Sequence, residues 1–456
     1  KYDNRFFLYV HFTPLLLYFM TKYDFLSRWK IICGKNTFEV NLKTMIDVEK
    51  EETALPRALL VGEPGNDLQE LKGLVLTLGM DVIQRLTLTR MEVHPAYGIG
   101  KGKAQEIAEL AKQIEADCII FDFNLEPRKQ RNWEELSGIS CFDRQEVIIR
   151  IFGQRAQTKE AVLQVELARL SYSLPRLAHM NKDFARQRGG AFGAKGAGET
   201  QLELDQRLVR EKISAIKKEL AEIELNRQTQ RKQRDKMPSC ALVGYTNAGK
   251  SSLLNALTNA DAYVENKLFA TLDPLTRKLP LNDSAGVLIT DTVGFISNLP
   301  HHLIDAFKST LEEAVYADLL LLVLDSSDPE AEAQYETVCS VLEDIGADKN
   351  PRLILLNKVD KAEDEKHTLQ KLRLKFPDAI LISAKEEFGF LDLKSKIYEL
   401  LYGEVADYIL PVTQGALINE LKKAGCIEKE EWLDDGVHIT ARATGRLAAL
   451  LSPFAK

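Results

Sequence analysis

Residues Gly244, Tyr245, Thr246, Asn247, Ala248, Gly249, Lys250 and Ser251 fit the pattern G-x-x-x-x-G-K-[ST]. They lie between an apolar run, CALV, and the helix-like SSLLNALTNA, the strand–loop–helix setting that a triphosphate cradle needs. Glycines let the backbone N–H groups of the loop turn inward around phosphate oxygens, and the helix N-terminus adds favourable potential. Lys250 is expected to span the β- and γ-phosphates, and Ser251 to give its hydroxyl oxygen to Mg²⁺.

A second motif, Asp291-Thr292-Val293-Gly294-Phe295, starts 41 residues after Lys250. Asp291 ends an apolar strand, where a carboxylate can hold Mg²⁺ through water. Gly294 has no side chain to keep its N–H from the γ-phosphate. Between the two motifs lies Phe269-Ala270-Thr271-Leu272-Asp273. Thr271 is the candidate for a second hydroxyl that closes on Mg²⁺ when the γ-phosphate is present, with Thr276 a weaker one. The expected catalytic groups are Lys250, Thr271, Gly294 and Asn247.

Asn357-Lys358-Val359-Asp360 follows the strand run LILL and reads the base. The Asp360 carboxylate can accept from guanine N1–H and the 2-amino group. Adenine offers neither, and a carboxylate left unpaired in a polar site can cost roughly 10⁴-fold in discrimination. Asn357 would brace the loops, and the Lys358 stem would cover one face of the base. Ser383-Ala384-Lys385, after the last strand, can present a backbone N–H to guanine O6.

Phe295 stands where such sites often carry a polar residue that orients the attacking water. Its ring can do no such work, so slow intrinsic hydrolysis is expected. A small GTPase that has the polar residue still turns over at only about 10⁻⁴ s⁻¹, and a cation supplied in trans adds about 10³–10⁵. Help from a partner, from a backbone group or from another side chain is therefore expected.

The elements that position these residues imply an α/β multidomain chain. At 456 residues, two to four domains are expected. With 45% hydrophobic and 28% charged residues the composition is that of a globular protein. The net charge of −7 excludes a global basic field for nucleic acid, so any such contact must come from a local patch. Six cysteines stand singly without metal spacing, which argues against zinc and fits a reducing cytoplasm.

Residues 1–55 read as an extension. The apolar stretch 6–20 is broken by His11 and Pro14 and falls short of the roughly 20 residues of a spanning helix. It is expected to be dispensable, with an interfacial anchor as the alternative. Residues 56–180 alternate strand and helix and form an N-terminal α/β domain with a mainly parallel sheet. Strands are expected at 58–62, near 84–92 and at 118–121, with helices over 100–116, from about Pro127, and over 148–180. Residues 181–237 hold a glycine-rich loop and a long charged helix over about 203–236, the helical arm, whose last stretch, 227–236, is basic. Residues 238–404 read as a doubly wound P-loop GTPase domain, and 405–456 as a small α+β C-terminal domain.

In this order the five nucleotide motifs resemble the translation-factor-like GTP-binding proteins. Together with GKGKAQEI (100–107), the stretch 143–177 and above all GGAFGAKGAGETQLELD (189–205), the chain from about 57 onwards resembles the ribosome-associated GTPases of the HflX family, relatives of Obg. LEPRKQRNWEE departs mildly from the family's usual SPxQxRNLE. The resemblance implies GTP and GDP contacts from 244–251, 269–273, 291–294, 357–360 and 383–385, and Mg²⁺ held by Ser251 and Thr271 beside Asp291. It also implies binding to the large ribosomal subunit and its rRNA through the N-terminal region and basic arm, and dissociation of stalled or idle ribosomes. A monomeric, cytoplasmic protein without membrane association is expected. Asn247 resembles the asparagine with which related GTPases hold K⁺ beside the phosphates, where it could act like an arginine finger. The alternative is an RNA-remodelling or assembly module whose N-terminal domain also uses ATP. It is motivated by Gly98, Gly100 and Gly102 with Lys101 and Lys103, which lack a G-x-x-x-x-G-K-[ST] match.

Overall fold

The computed structural model describes 29–33, 36–40 and 55–455, apart from 92–93, 181–200, 234–236, 259–267, 270–271, 273, 283–284, 298–310, 362–365, 434 and 444. The chain forms two compact units, 1–55 and 56–456. In the first, strands β1 (Trp29–Cys33) and β2 (Asn36–Val40) pair antiparallel. The apolar stretch 6–20 lies outside the described residues. Among the described residues no helix is long and apolar enough to cross a membrane.

The second unit begins with β3 (Arg57–Gly62), which runs parallel between β4 (Asp81–Thr87) and β5 (Cys118–Phe121), with β6 (Ser140–Asp143) beyond β5. The inner runs ALLV and CIIF are buried throughout, as a parallel sheet covered on both faces demands. Helices α1 (Gln69–Thr77), α2 (Lys101–Gln113) and α3 (Pro127–Ser137) connect the strands. Pro127 takes the first helical turn, where its missing N–H costs nothing.

Two sequence expectations shift. The strand expected near 84–92 runs earlier, because β3 sets its register from Arg57 opposite Asp81 to Gly62 opposite Thr87. The helix expected over 148–180 is two helices, α4 (Arg144–Arg155) and α5 (Lys159–Met180). Ala156 is extended, and Thr158 Oγ1 accepts the Ala161 N–H at 3.2 Å, starting a new helix. The long helix α6 (Gln201–Gln233) packs along α5, tied by Lys212–Glu166 at 2.6 Å and Arg227–Glu160 at 2.7 Å. Rising numbers on one helix meet falling numbers on the other, so the two are antiparallel.

The central sheet has the order β12-β11-β10-β7-β9-β8. Its strands are β7 (Ser239–Gly244), β8 (Leu275–Pro280), β9 (Gly286–Asp291), β10 (Leu319–Asp325), β11 (Arg352–Asn357) and β12 (Ile380–Leu381). All pairings are parallel except β8 with β9. Around them stand α7 (Lys250–Thr258), α8 (Ala331–Asp344), α9 (Lys366–Lys375) and α10 (Phe390–Tyr402). β7 lies between strands that follow it on both sides, so the crevice past its carboxyl end is the place to expect a ligand. The tail is an antiparallel sheet, β13 (Val405–Leu410), β15 (Gly436–Arg442) and β14 (Ile427–Leu433), with α11 (Gly415–Ala424) and α12 (Gly445–Leu451).

The glycines at 98, 100 and 102 do not follow a strand. β4 ends at Thr87, and Gly100 is the N-cap of α2. The segment ahead of α2 is fastened to α3 by Trp133 Nε1 to the Tyr97 carbonyl at 3.0 Å and Asn132 Nδ2 to the Ala96 carbonyl at 2.8 Å.

Candidate functional site

The loop from Gly244 to Lys250 joins β7 to α7 past the sheet's carboxyl edge. Lys250 is only 6% exposed, and its Nζ donates to the Gly244 and Tyr245 carbonyls at 3.1 and 2.8 Å. Burial lowers its pKa to about 8, with the Lys358 charge pushing the same way and Asp291 opposing. Polyanionic phosphate oxygens are the natural complement of such a cation. Gly249 has φ +98°, and a Cβ there would lie 2.3 Å from Asn357 Nδ2, so only glycine fits. Asn247 also takes positive φ, at 62°.

The Asn357–Asp360 motif is bonded to this loop. Asn357 Nδ2 donates to the Ala248 carbonyl at 2.8 Å, and its Oδ1 accepts the Ala384 N–H at 3.0 Å. That N–H is thus engaged by Asn357. Lys358 Nζ donates to the Asn247 carbonyl at 2.8 Å and to Asp325 Oδ2 at 2.7 Å. Ser383 Oγ donates to Asp360 Oδ1 at 2.6 Å, which ties the turn that carries Val359 and Asp360 to the loop that carries Ala384 and Lys385. Asp325 is a partner that sequence reasoning missed. Its only signal was an acid ending an apolar strand.

Ser251 Oγ donates to Asp291 Oδ2 at 2.6 Å, and Asp291 is 1% exposed. A hydroxyl and a hard carboxylate brought together beside a phosphate loop suit Mg²⁺. Among the described residues no cluster of three or more His, Cys, Asp or Glu could hold a metal, so an ion here would lean on nucleotide oxygens as well. Thr292 Oγ1 instead donates to the Leu242 carbonyl at 2.7 Å inside the fold. Ala270, Thr271 and Asp273 lie outside the described residues. Phe269 and Leu272 beside them are buried. Thr276, the weaker candidate, sits on β8 with its hydroxyl against Thr290 Oγ1 at 2.9 Å.

Phe295 is 2% exposed in the apolar core that also holds Val293, Ile296, Phe269 and Leu272. Its backbone is strapped to the phosphate loop: Thr246 N–H donates to the Phe295 carbonyl at 2.7 Å, and Phe295 N–H to the Gly244 carbonyl at 3.1 Å. A Cβ on Gly294 would lie 2.9 Å from both Lys250 Nζ and the Thr246 Cα. Sequence reasoning also missed Glu70, Arg144 and Ser297, which meet Tyr245 at this point. Nothing local marks them, since Glu70 and Tyr245 stand 175 positions apart. Of the basic stretch 227–236, Arg227 pairs with Glu160, and the side chains of 228 and 230–236 lie outside the described residues.

A doubly wound sheet with a G-x-x-x-x-G-K-S loop, a Ser–Asp pair and an NKxD turn bonded to that loop defines a P-loop GTP hydrolase. The family described as "GTP-binding GTPase N-terminal" matches 65–153, "GTP-binding GTPase Middle Region" matches 155–234, and "50S ribosome-binding GTPase" matches 239–358. "GTPase HflX" of Akkermansia muciniphila is 42% identical over 420 residues, covering 87% of this chain and 96% of that one. "GTPase HflX" of Escherichia coli is 42% identical over 374 residues, covering 81% and 88%. The chain belongs to the HflX family of GTPases. Among solved structures, a GTP-binding protein from Sulfolobus solfataricus in complex with GDP is 29% identical, over 76% of this chain and 98% of that one, with a TM-score of 0.42.

Proposed function

We propose that this GTPase works on the large ribosomal subunit in the cytoplasm, as a monomer, and that its GTP cycle dissociates stalled or idle ribosomes. The observation that carries the reading is the burial of Phe295, which leaves no polar side chain after the DxxG motif to aim a water. A hydrolase built this way stands to gain about 10³–10⁵ from a group supplied in trans, and a partner that orders its switch segments is one source of that help. The matched "50S ribosome-binding GTPase" description of 239–358 supports the large subunit as that outside partner. Contacts to rRNA would come from the N-terminal region, the 189–205 stretch and the basic end of the arm, and Lys and Arg contacts to phosphate would make binding fall steeply with salt.

In this reading Lys250 and the loop N–H groups of 245–249 hold the phosphates, Gly294 N–H meets the terminal one, and Asp360 selects guanine. Ser251 and Thr271 would hold Mg²⁺, with Asp291 behind its water. The ion would neutralise charge on the phosphate oxygens. Asn247 would help hold K⁺ beside the same oxygens.

The deciding experiment is GTP turnover with and without purified large subunits. An increase of about 10²-fold or more is expected. Equal rates would remove the partner from the account.

A further inference from the structure

Glu70 opens α1 in the N-terminal layer, yet both of its carboxylate oxygens are engaged outside that helix. Tyr245 Oη, on the phosphate loop, donates to Oε1. Ser297 Oγ, three residues past Gly294, donates to Oε2, as does Arg144 Nη2. The ring closes on itself. Ser297 N–H donates to Tyr245 Oη at 2.7 Å, and Arg144 Nη2 reaches the Ser297 carbonyl at 3.2 Å and its Oγ at 3.1 Å. Arg144 is itself fixed from β5's end by Asp122 Oδ1 at 2.8 Å. The other nucleotide-facing loop touches the same layer. Leu268 N–H donates to Thr77 Oγ1 at 3.3 Å, and the Phe269 ring meets Phe152 nearly edge-on at 4.6 Å.

What this clasp holds is the stretch that a terminal phosphate must meet. With 294–297 in place, Gly294 stands against the Lys250 ammonium, and Thr246 N–H is committed to the Phe295 carbonyl. Lys250 donates to its own loop carbonyls instead of reaching outward. A diphosphate makes no demand on this stretch. A triphosphate needs Gly294 N–H turned to its terminal oxygens and the lysine extended towards them.

We propose that Glu70 is a positioning residue that sets the preference between guanosine tri- and diphosphate. Its grip on Tyr245 and Ser297 holds 294–297 down on the phosphate loop, and triphosphate binding has to break that grip. This rests on the guanine-nucleotide site described above. Hydrogen bonds to a carboxylate are among the stronger ones, and a ligand shifts two states only by its differential affinity for them. Loosening the clasp therefore transfers into triphosphate affinity and leaves diphosphate affinity alone.

The test measures Kd for GDP and for a non-hydrolysable GTP analogue, with Mg²⁺, on the full chain. Glu70→Ala and Ser297→Ala are expected to tighten the analogue roughly fivefold to twentyfold while GDP stays within about twofold. Glu70→Gln, which keeps an acceptor oxygen, should fall between parent and Glu70→Ala. Tyr245→Phe should move the ratio in the same direction. If Glu70→Ala does not fold, Ser297→Ala and Tyr245→Phe, each missing one hydroxyl, decide the matter. Equal shifts for both nucleotides, or none while the parent binds both, overturn the proposal. A parent that binds neither overturns the site itself, and the proposal with it.

Discussion

Asn357 Nδ2 lies 2.8 Å from the Ala248 carbonyl, so the Asn357–Asp360 turn and the Gly244–Ser251 loop form one hydrogen-bonded body. Its Oδ1 extends the same body to Ala384 at 3.0 Å. Asn357 is 1% exposed, so removing it strands the buried Ala248 carbonyl and the half-buried Ala384 N–H. Asn357→Ala should weaken GDP and GTP alike by roughly 10–100-fold, the loss of one to two buried hydrogen-bonded groups at about 1–3 kcal/mol each. Titration calorimetry with both nucleotides checks this. A loss confined to GTP would mean that Asn357 acts on the switch segments instead.

Asp360 is held by Ser383 Oγ at 2.6 Å, which leaves its other oxygen to turn towards a base. An amide at 360 would face guanine's 2-amino group with N–H, donor against donor. Xanthine carries a carbonyl at that carbon and would accept from the amide. Asp360→Asn is therefore expected to lower guanine-nucleotide affinity by about 10³-fold or more and to raise affinity for xanthosine diphosphate. Competition binding with the two diphosphates reads both changes, and an unchanged preference would remove Asp360 from base selection.

Burial drives Lys250 down to about pKa 8, against 10.5 when exposed. Between about pH 8 and 10.5 the unfolded chain then binds more protons at this site than the folded one, so this group adds stability as pH rises through that window. Bound phosphate charge raises the lysine again. Nucleotide binding should take up almost no proton at pH 7 and approach one proton above pH 9, with affinity falling up to about tenfold per pH unit there. Calorimetry in buffers of different ionisation enthalpy measures the uptake. None at pH 9 would mean that Lys250 either keeps its proton before binding or does not meet the phosphates.

A monovalent cation beside Asn247 would supply positive charge that no side chain on this loop provides apart from Lys250. Replacing K⁺ by Na⁺ at fixed ionic strength should slow turnover several-fold, and Asn247→Ala should remove the difference. Equal rates in the two salts would dispose of the cation.

The loops at 244–251, 291–294 and 357–360 were legible because each is a short local pattern at the end of an apolar strand, and CALV, VLITD, LLLLVLD and LILLN form mostly buried strands. The helical pattern also placed the start of α2 to within one residue and its end to within three, and the start of α3 at Pro127. What stayed hidden depends on distant partners. β6, SCFD, has no apolar run and exists because β5 offers it an edge. β13 and β14 are likewise defined by β15 between them. The break at Ala156 hinges on one threonine's cap, invisible in a pattern that stays amphipathic across it. The Glu70 ring joins residues from four separate stretches, and no window of sequence contains it.

Helix α6 is 33 residues long, about 50 Å at 1.5 Å per residue, and it stops at Gln233, just ahead of the strand that delivers the phosphate loop. It is braced along α5, and over that length a tilt of about 5° at the end near β7 would carry the Gln201 end through about 4 Å. A small rotation at one end would thereby become, at the other, a displacement larger than a hydrogen bond.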